Sequence, residues 1–328
     1  MADLSTKWTG LNLKSPVIVS SCGLTADQEK VALMEKAGAG AVVVKSLFEE
    51  QIRNEVEYLS ASGSDHTEMD DYMHSYIRHN SIAQYCANIT RLKSTLSIPV
   101  IASINCYTPG TWVEFAKEMQ KAGADAIEVN LYEIPLDKNL SPEIIERRYL
   151  DVVKEIVKSV TIPVSVKIGQ NFTSITNFIN KLYSFGAKGV VIFNRFFTPD
   201  INLDSLSLVS SSPLSHEYEY IHNLRWTAII SSSVSSIDIA TTTGIHTPDA
   251  AIKTILAGAK AVQICSTIYK NGIDRITLIN EELAKFMDER NFSSIEQMRG
   301  ILNYSCIKDP AMYERVQFMK SFGGYKNV

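Results

Sequence analysis

Ala122-Gly123-Ala124-Asp125-Ala126-Ile127-Glu128-Val129 reads as the end of a helix, a turn and the start of a buried strand. The glycine supplies the left-handed position that closes a helix, and an apolar, β-branched run begins two or three residues later. The phrase returns as Ala37-Gly38-Ala39-Gly40-Ala41-Val42-Val43-Val44, as Phe185-Gly186-Ala187-Lys188-Gly189-Val190-Val191-Ile192, and as Ala257-Gly258-Ala259-Lys260-Ala261-Val262-Gln263-Ile264. A second phrase alternates with it: Ser15-Pro16-Val17-Ile18-Val19, Ile98-Pro99-Val100-Ile101-Ala102 and Ile162-Pro163-Val164-Ser165-Val166. There proline opens a strand, where its missing N–H costs little. Ser236-Ile237-Asp238-Ile239-Ala240 is a fourth member without the proline.

Interleaved, the two phrases give eight strands, at 17–20, 41–45, 100–105, 126–130, 164–168, 189–193, 237–242 and 261–264. Helical patterns fall between most of them, at Asp27–Lys36, Ser81–Leu96, Thr111–Lys121, Pro142–Val160, Thr173–Phe185 and Pro248–Ala257. Continuous apolar strands alternating with helices imply parallel pairing buried on both faces. Eight such units close into an α/β fold of the (β/α)8 TIM barrel type. An open doubly wound sheet is the alternative, but no Gly-x-Gly-x-x-Gly turn follows the first strand.

Leu4–Leu13 is expected to form a small hairpin capping the bottom of the barrel. Two polar excursions, Leu47–Asn80 after the second strand and Asn194–Leu224 after the sixth, leave from the side where lids belong. Residues 1–300 read as the barrel domain. Residues 301–328 read as a C-terminal extension, an appended helix and tail packed on the barrel or on a partner subunit.

Of the 328 residues, 45% are apolar and 21% charged, as in ordinary globular chains. A net charge of −4 with no basic block argues against nucleic acid as a partner. The longest apolar runs, Ala39–Val44 and Val190–Phe193, are too short to span a membrane. Met1-Ala2-Asp3-Leu4 lacks the features of a signal peptide. Five scattered cysteines without a Cys-x-x-Cys pair fit a reducing compartment, so a cytoplasmic protein is expected. No metal site is expected: His66, His74 and His79 fall in the first excursion, and His74 and His79, read as loop residues, lack metal-ligand spacing.

Barrel enzymes keep their chemistry at the C-terminal ends of the strands. Those ends carry Ser20-Ser21-Cys22-Gly23, Lys45-Ser46, Asn105, Asn130, Lys167, Asn194, Thr242-Thr243-Gly244 and Cys265-Ser266. Lysines ending apolar strands are costly unless something anionic meets them, whether a neighbouring carboxylate or a ligand. Small-residue turns after strands seven and eight, ahead of helix starts, make the phosphate site of many barrels, although plain βα turns use the same residues. The cysteines read as buried packing, with Cys22 and Cys265 placed to line the mouth.

Taken in order, these motifs resemble the dihydroorotate dehydrogenases, FMN-dependent (β/α)8 flavoproteins, over about residues 4–300. The resemblance rests on Gly10-Leu11-x-Leu13-x-Ser15-Pro16-Val17 leading to Ser20-Ser21-Cys22-Gly23, on Val44-Lys45-Ser46 and on Glu128-Val129-Asn130-Leu131. It continues through Val166-Lys167-Ile168, Phe193-Asn194, Thr243-Gly244-Ile245 and Gly258-Ala259-x-x-Val262-Gln263-Ile264-Cys265-Ser266. It implies FMN as cofactor, with Ser20, Ser21 and Gly23 at the flavin and Ser46 and Asn105 beside it. Lys45 would lie between flavin and substrate, and Lys167 at the N1–C2 carbonyl side of the ring. Thr243, Gly244, Cys265 and Ser266 would hold the phosphate, and Asn130 and Asn194 would meet a pyrimidine ring. A dihydropyrimidine-like substrate, oxidation of dihydroorotate in pyrimidine biosynthesis, no nucleic-acid or membrane partner and a homodimer follow from the same resemblance.

The chain departs from the family after the fourth strand. Where the family has a serine, a cysteine (or serine) base, a proline and a second asparagine, this sequence reads Tyr132-Glu133-Ile134-Pro135. Glu133 then stands as the candidate base, already ionised at neutral pH, with Tyr132 second because a phenol stays protonated there. A different substrate on a conserved flavin site is the other possibility. Outside this class stand a Schiff-base aldolase using Lys167 and a non-catalytic flavin-binding protein.

Overall fold

A short hairpin opens the chain, β1 (Thr6–Trp8) pairing antiparallel with β2 (Leu11–Leu13). The parallel strands β3 (Val17–Val19), β4 (Ala41–Val43), β6 (Val100–Asn105), β7 (Ala126–Leu131), β8 (Val164–Ile168), β9 (Gly189–Ile192), β12 (Asp238–Thr242) and β13 (Ala261–Ile264) follow. In this computed structural model, which describes residues 2–48, 67–105, 112–196 and 198–314, they close into a ring. The pairings Val42↔Val100 and Val262↔Val17 complete the circuit, so the fold is a (β/α)8 barrel. All eight expected strands are present within a residue or two of their expected limits. The glycines of the repeated phrase, Gly38, Gly123, Gly186 and Gly258, have φ between +98° and +123°, the helix-closing conformation read from sequence.

The outer helices bury apolar stripes against the sheet, as Val31 and Met34 do on Gln28–Lys36 and Phe178, Ile179 and Leu182 on Ile175–Ser184. Asp27 starts the first of these helices by accepting from the Glu29 and Lys30 N–H groups. Inside the ring, Ile18, Val43, Ile101 and Val191 pack with Ala41, Ala126, Ala240 and Ala261. The alanines leave the space that the fully buried indole of Trp8 fills from the hairpin. Gly189, at the start of β9, lies so close that a Cβ there would stand 2.8 Å from the Trp8 ring. The Thr9 N–H donates to Asp238 at the start of β12. The hairpin therefore plugs the N-terminal end of the barrel, as expected, and chemistry belongs at the other end.

One expectation, the extent of the first excursion, is corrected. The helix after the second strand begins at Thr67 rather than Ser81, so His74 and His79 lie in a helix and not in a loop. His66 and the rest of 49–66 lie outside the described residues. The second excursion carries its own hairpin, β10 (Pro199–Asn202) with β11 (Ser207–Ser210), and then the helix Tyr220–Ser233. Beyond residue 300 the described residues, which end at 314, include the single turn Pro310–Tyr313. There Asn303 accepts from the N–H groups of Ser305 and Cys306, a local bond that competes with helix formation. The segment lies on the barrel through Leu302 N–H to the Leu256 carbonyl and Tyr304 N–H to the Ala228 carbonyl.

Strand two is interrupted. β4 pairs with β6 as Val43↔Ile101, yet its continuation β5 (Leu47–Phe48) pairs as Leu47↔Ile104. The register slips by one residue between them, so Val44–Ser46 holds a bulge that reverses which side chains face the barrel axis. Among the described residues no helix is long and apolar enough to cross a membrane.

Candidate active site

Side chains alternate across a strand, so Ser20, Ser103, Glu128, Ser165 and Gln263 form a polar layer above the apolar floor of the barrel. Lys167 reaches into it from the next level. Its ammonium donates to Ser20 Oγ at 2.8 Å and lies 3.4 Å from Gln263 Oε1 and 4.0 Å from Glu128 Oε1. The Gln263 amide donates in turn to the other Glu128 oxygen at 2.5 Å. Glu128 is fully buried. Burial raises its pKa, with Lys167 and Gln263 pulling the other way. A buried ammonium on this frame cannot leave without stranding the carboxylate.

Above Lys167 opens a narrow cleft of about 150 Å³. Its lining includes Asn194, Arg195, Thr243, Gly244, Cys265 and Ser266, with Arg195 paired at 3.2 Å to Glu219 and Lys167 as its other cation. The turn after β12 is fixed by backbone geometry. Thr243 has φ +68° and donates its hydroxyl to the Phe193 carbonyl, while the Asn223 amide donates to the carbonyls of Thr242 and Thr243. Gly244 has φ +81°, and a Cβ there would fall 2.2 Å from the Tyr220 nitrogen. Only glycine fits that position. A cleft of hydroxyls, small residues and cations matches an anionic ligand.

Ser215, from the second excursion, stitches that excursion to the cleft. Its N–H donates to Ser266 Oγ at 3.0 Å and its carbonyl accepts from the Lys270 ammonium at 2.6 Å. Its hydroxyl accepts from the Gly244 N–H at 3.3 Å and lies 2.8 Å from His246 Nε2. The hydroxyl keeps a second lone pair beside the one that meets Gly244, so it accepts from or donates to Nε2 according to the tautomer of a neutral His246. Burial and the nearby Lys270 lower the His246 pKa, in keeping with that state.

On the opposite side of the mouth, Ser21, Ser46, Ser103 and Asn130 form one chain of hydrogen bonds. Ser46 Oγ lies 2.9 Å from Ser21 Oγ and 2.8 Å from Ser103 Oγ, and the Asn130 amide donates to Ser103 Oγ at 3.0 Å. The bulge turns Ser46 into this chain and Lys45 out of it. Lys45 is exposed and lines a separate surface cleft with Gln84, Tyr85, Asn88 and Arg91. The structure thus sets Lys45 apart from the Lys167 cleft, at a cleft that Ser46 also lines. Asn105 stands opposite Asn130 in register, at the strand ends.

The loop after β7 departs from expectation too. Tyr132 stacks on Phe196, from the loop after β9, with ring centroids 3.3 Å apart and planes 15° from parallel. Gly169 at the end of β8 makes room, since a Cβ there would meet Phe196 at 2.6 Å. Glu133 pairs at 3.4 Å with Arg148 of the helix Pro142–Ser159. The structure does not bring its carboxylate to the Lys167 cluster.

A model of the dihydroorotate dehydrogenase family matches residues 3–287. The chain belongs to the dihydroorotate dehydrogenase family. It is accordingly an oxidoreductase of that type. The catalytic subunit of dihydroorotate dehydrogenase B (NAD(+)) from Thermoplasma acidophilum is 27% identical over 319 residues, covering 92% of this chain and 99% of that protein. The corresponding subunit from Methanocaldococcus jannaschii is 27% identical over 314 residues, with 91% and 97% covered. A chloroplastic dihydropyrimidine dehydrogenase (NADP(+)) of Arabidopsis thaliana is 23% identical over 327 residues, with 91% and 76% covered.

Glu128, Gln263, Ser103, Ser215, His246 and Phe196 were not among the residues expected from sequence. Glu128 and Gln263 carried a readable signal: a polar residue within an apolar strand, two positions from an inward alanine. Ser215, His246 and Phe196 carried none, because loops bring them to the mouth.

Proposed function

We propose that this chain is an FMN-dependent oxidoreductase that moves a hydride across a carbon–carbon bond of a small dihydropyrimidine-like or enone-type substrate. The observation that carries the reading is the buried Lys167 ammonium, held by Ser20 and Gln263 beneath a cleft of hydroxyls and small residues. FMN, when bound, supplies the hydride acceptor, and its phosphate and carbonyl edge are the anionic features this donor set suits. Thr243, Gly244, Cys265 and Ser266 would hold the phosphate. Ser20, Ser21, Gly23, Ser46, Asn105 and Lys167 would hold the ring system.

Lys167 keeps a fixed positive charge in a water-poor site, and Glu128 and Gln263 set its position. Such preorganised charge requires no rearrangement during the reaction. Asn130, anchored by the serine chain, and Asn194 offer amides to a substrate ring with alternating donors and acceptors. The stacked rings of Tyr132 and Phe196 wall the substrate side. In this reading Glu133 holds the loop on Arg148 and does not take the substrate proton. Oxidation of dihydroorotate in pyrimidine biosynthesis is the narrower form of the proposal. The outward turn of Lys45 and the pairing of Glu133 favour another member of the same substrate class.

An absorption spectrum of the purified protein, followed by anaerobic addition of dihydroorotate and then of other dihydropyrimidines, tests both levels. A protein without flavin bands would overturn the cofactor assignment. Flavin bands that bleach with none of these compounds would overturn the substrate class. A homodimer is part of the proposal: the hairpin β10–β11 stands off the barrel with Ile201, Leu206 and Leu208 exposed. Sedimentation at the monomer mass would remove it.

A further inference from the structure

We propose, on the basis of the FMN reading above, that Glu128 and Gln263 are positioning residues that set the reduction potential of the flavin through Lys167. The carboxylate moderates the charge of the ammonium, and the amide holds the two charges apart.

The side chains come from separate strands, Glu128 from β7, Lys167 from β8 and Gln263 from β13, and all are buried. Ser103 and Ser165 flank Glu128 in register, but their hydroxyls are engaged elsewhere. Ser103 bonds Ser46 and Asn130, and Ser165 donates to the Ile127 carbonyl at 3.4 Å. One Glu128 oxygen accepts from the Gln263 amide. The other has no hydrogen-bond partner among the described residues and faces the Lys167 ammonium. The amide cannot be turned round, because Gln263 Oε1 accepts from the Ser20 hydroxyl at 3.0 Å and from Lys167 at 3.4 Å. Both groups beside the Glu128 oxygens are therefore donors, and a protonated carboxyl would aim its O–H at no acceptor. Glu128 is a carboxylate.

The separation of the charges is the second observation. Lys167 Nζ stands 4.0 Å from Glu128 Oε1, too far for a hydrogen bond, whereas an ammonium and a carboxylate free to meet close to about 2.7–2.9 Å. Gln263 bonds both partners and so spans the pair, while Ser20 draws the ammonium toward the cleft at 2.8 Å. The carboxylate thus holds the buried ammonium by charge alone and takes no N–H from it. With Ser20 and Gln263 as its only acceptors among the described residues, the ammonium keeps an N–H for a group in the cleft. A flavin ring gains negative charge on reduction, which a nearby cation favours and a nearby anion opposes. Glu128 therefore limits how far Lys167 favours the reduced cofactor, and Gln263 keeps that limit from becoming complete neutralisation.

Anaerobic reductive titration of the flavin-loaded protein against a dye of known potential reads the effect without turnover. Glu128→Gln removes the negative charge at nearly constant shape. It should shift the equilibrium toward reduced flavin by at least ~tenfold, or ~30 mV upward for a two-electron couple. Gln263→Met keeps both charges and removes the spacer, so the ion pair closes and the equilibrium should shift toward oxidised flavin by at least ~threefold. Opposite signs separate this role from a general loosening of the site, which would move both variants the same way. A parental potential in Glu128→Gln, or shifts of like sign in the two variants, would overturn the proposal. Should Glu128→Gln fail to fold, Gln263→Met decides alone, and an unchanged or raised potential there overturns the proposal. A parent protein without flavin bands would instead remove the FMN reading itself.

Discussion

The turns after β12 and β13 take their shape from backbone, with Gly244 at φ +81° and Thr243 at φ +68° held by Asn223 and Ser215. The loop after β7 takes its shape from side chains, with Tyr132 stacked on Phe196 and Glu133 paired with Arg148. Backbone sites accept few substitutions, because the conformation itself selects the residue. Side-chain sites can be rebuilt one residue at a time on the same strand end. The two sides of one mouth can therefore diverge separately.

The contrast is easiest to break at its centre. Lys167→Met strands the buried Glu128 carboxylate, at a cost of about 3–5 kcal/mol, and should leave the protein without bound flavin. A thermal melt and the ratio of flavin to protein absorbance read both, and near-parental values would dismiss Lys167 as the organising charge. Gly244→Ala forces a Cβ into the Tyr220 backbone, for a loss of about 1–3 kcal/mol together with weakened flavin retention. A fully loaded, equally stable variant would show the turn to be adaptable. Phe196→Ala removes the ring stack, worth about 0.5–1.5 kcal/mol beyond area. It should change KM for substrate while flavin content holds, so loss of flavin instead would erase the division between the two sides.

Two smaller effects refine it. The lowered pKa of His246 means that the unfolded chain binds more protons just below its ordinary value near 6.5. Its contribution is complete above that pH and is lost as pH falls toward the folded-state value. The parent's melting temperature should therefore drop more between about pH 7.5 and pH 5.5 than that of His246→Asn; equal drops would exclude His246 as the source. Glu133→Gln keeps the contact with Arg148 and should change the rate of anaerobic flavin reduction by less than about threefold. A loss beyond about a hundredfold would restore Glu133 as the base.

The strands were legible because each is announced locally, by a glycine that closes a helix or a proline that opens a strand. Lys167, Thr243, Gly244 and Ser266 were legible as strand-end residues in those units. The direction of Lys45 was not, since the pairing of Leu47 with Ile104 decides it from across the sheet. The partner of Glu133 lies on a helix fifteen residues further along the chain, and nothing near Glu133 announces it. The start of the helix at Thr67 was hidden in a stretch too polar to show an apolar stripe.

The bulge at Val44–Ser46 works as a frameshift within one strand. Removing Ser46 alone would restore unbroken alternation between Val43 and Leu47 and carry Lys45 to the barrel axis in its place. The same stretch of sequence thus encodes two mouths, one lined at this strand by a hydroxyl and one by a cation, separated by one codon's worth of chain.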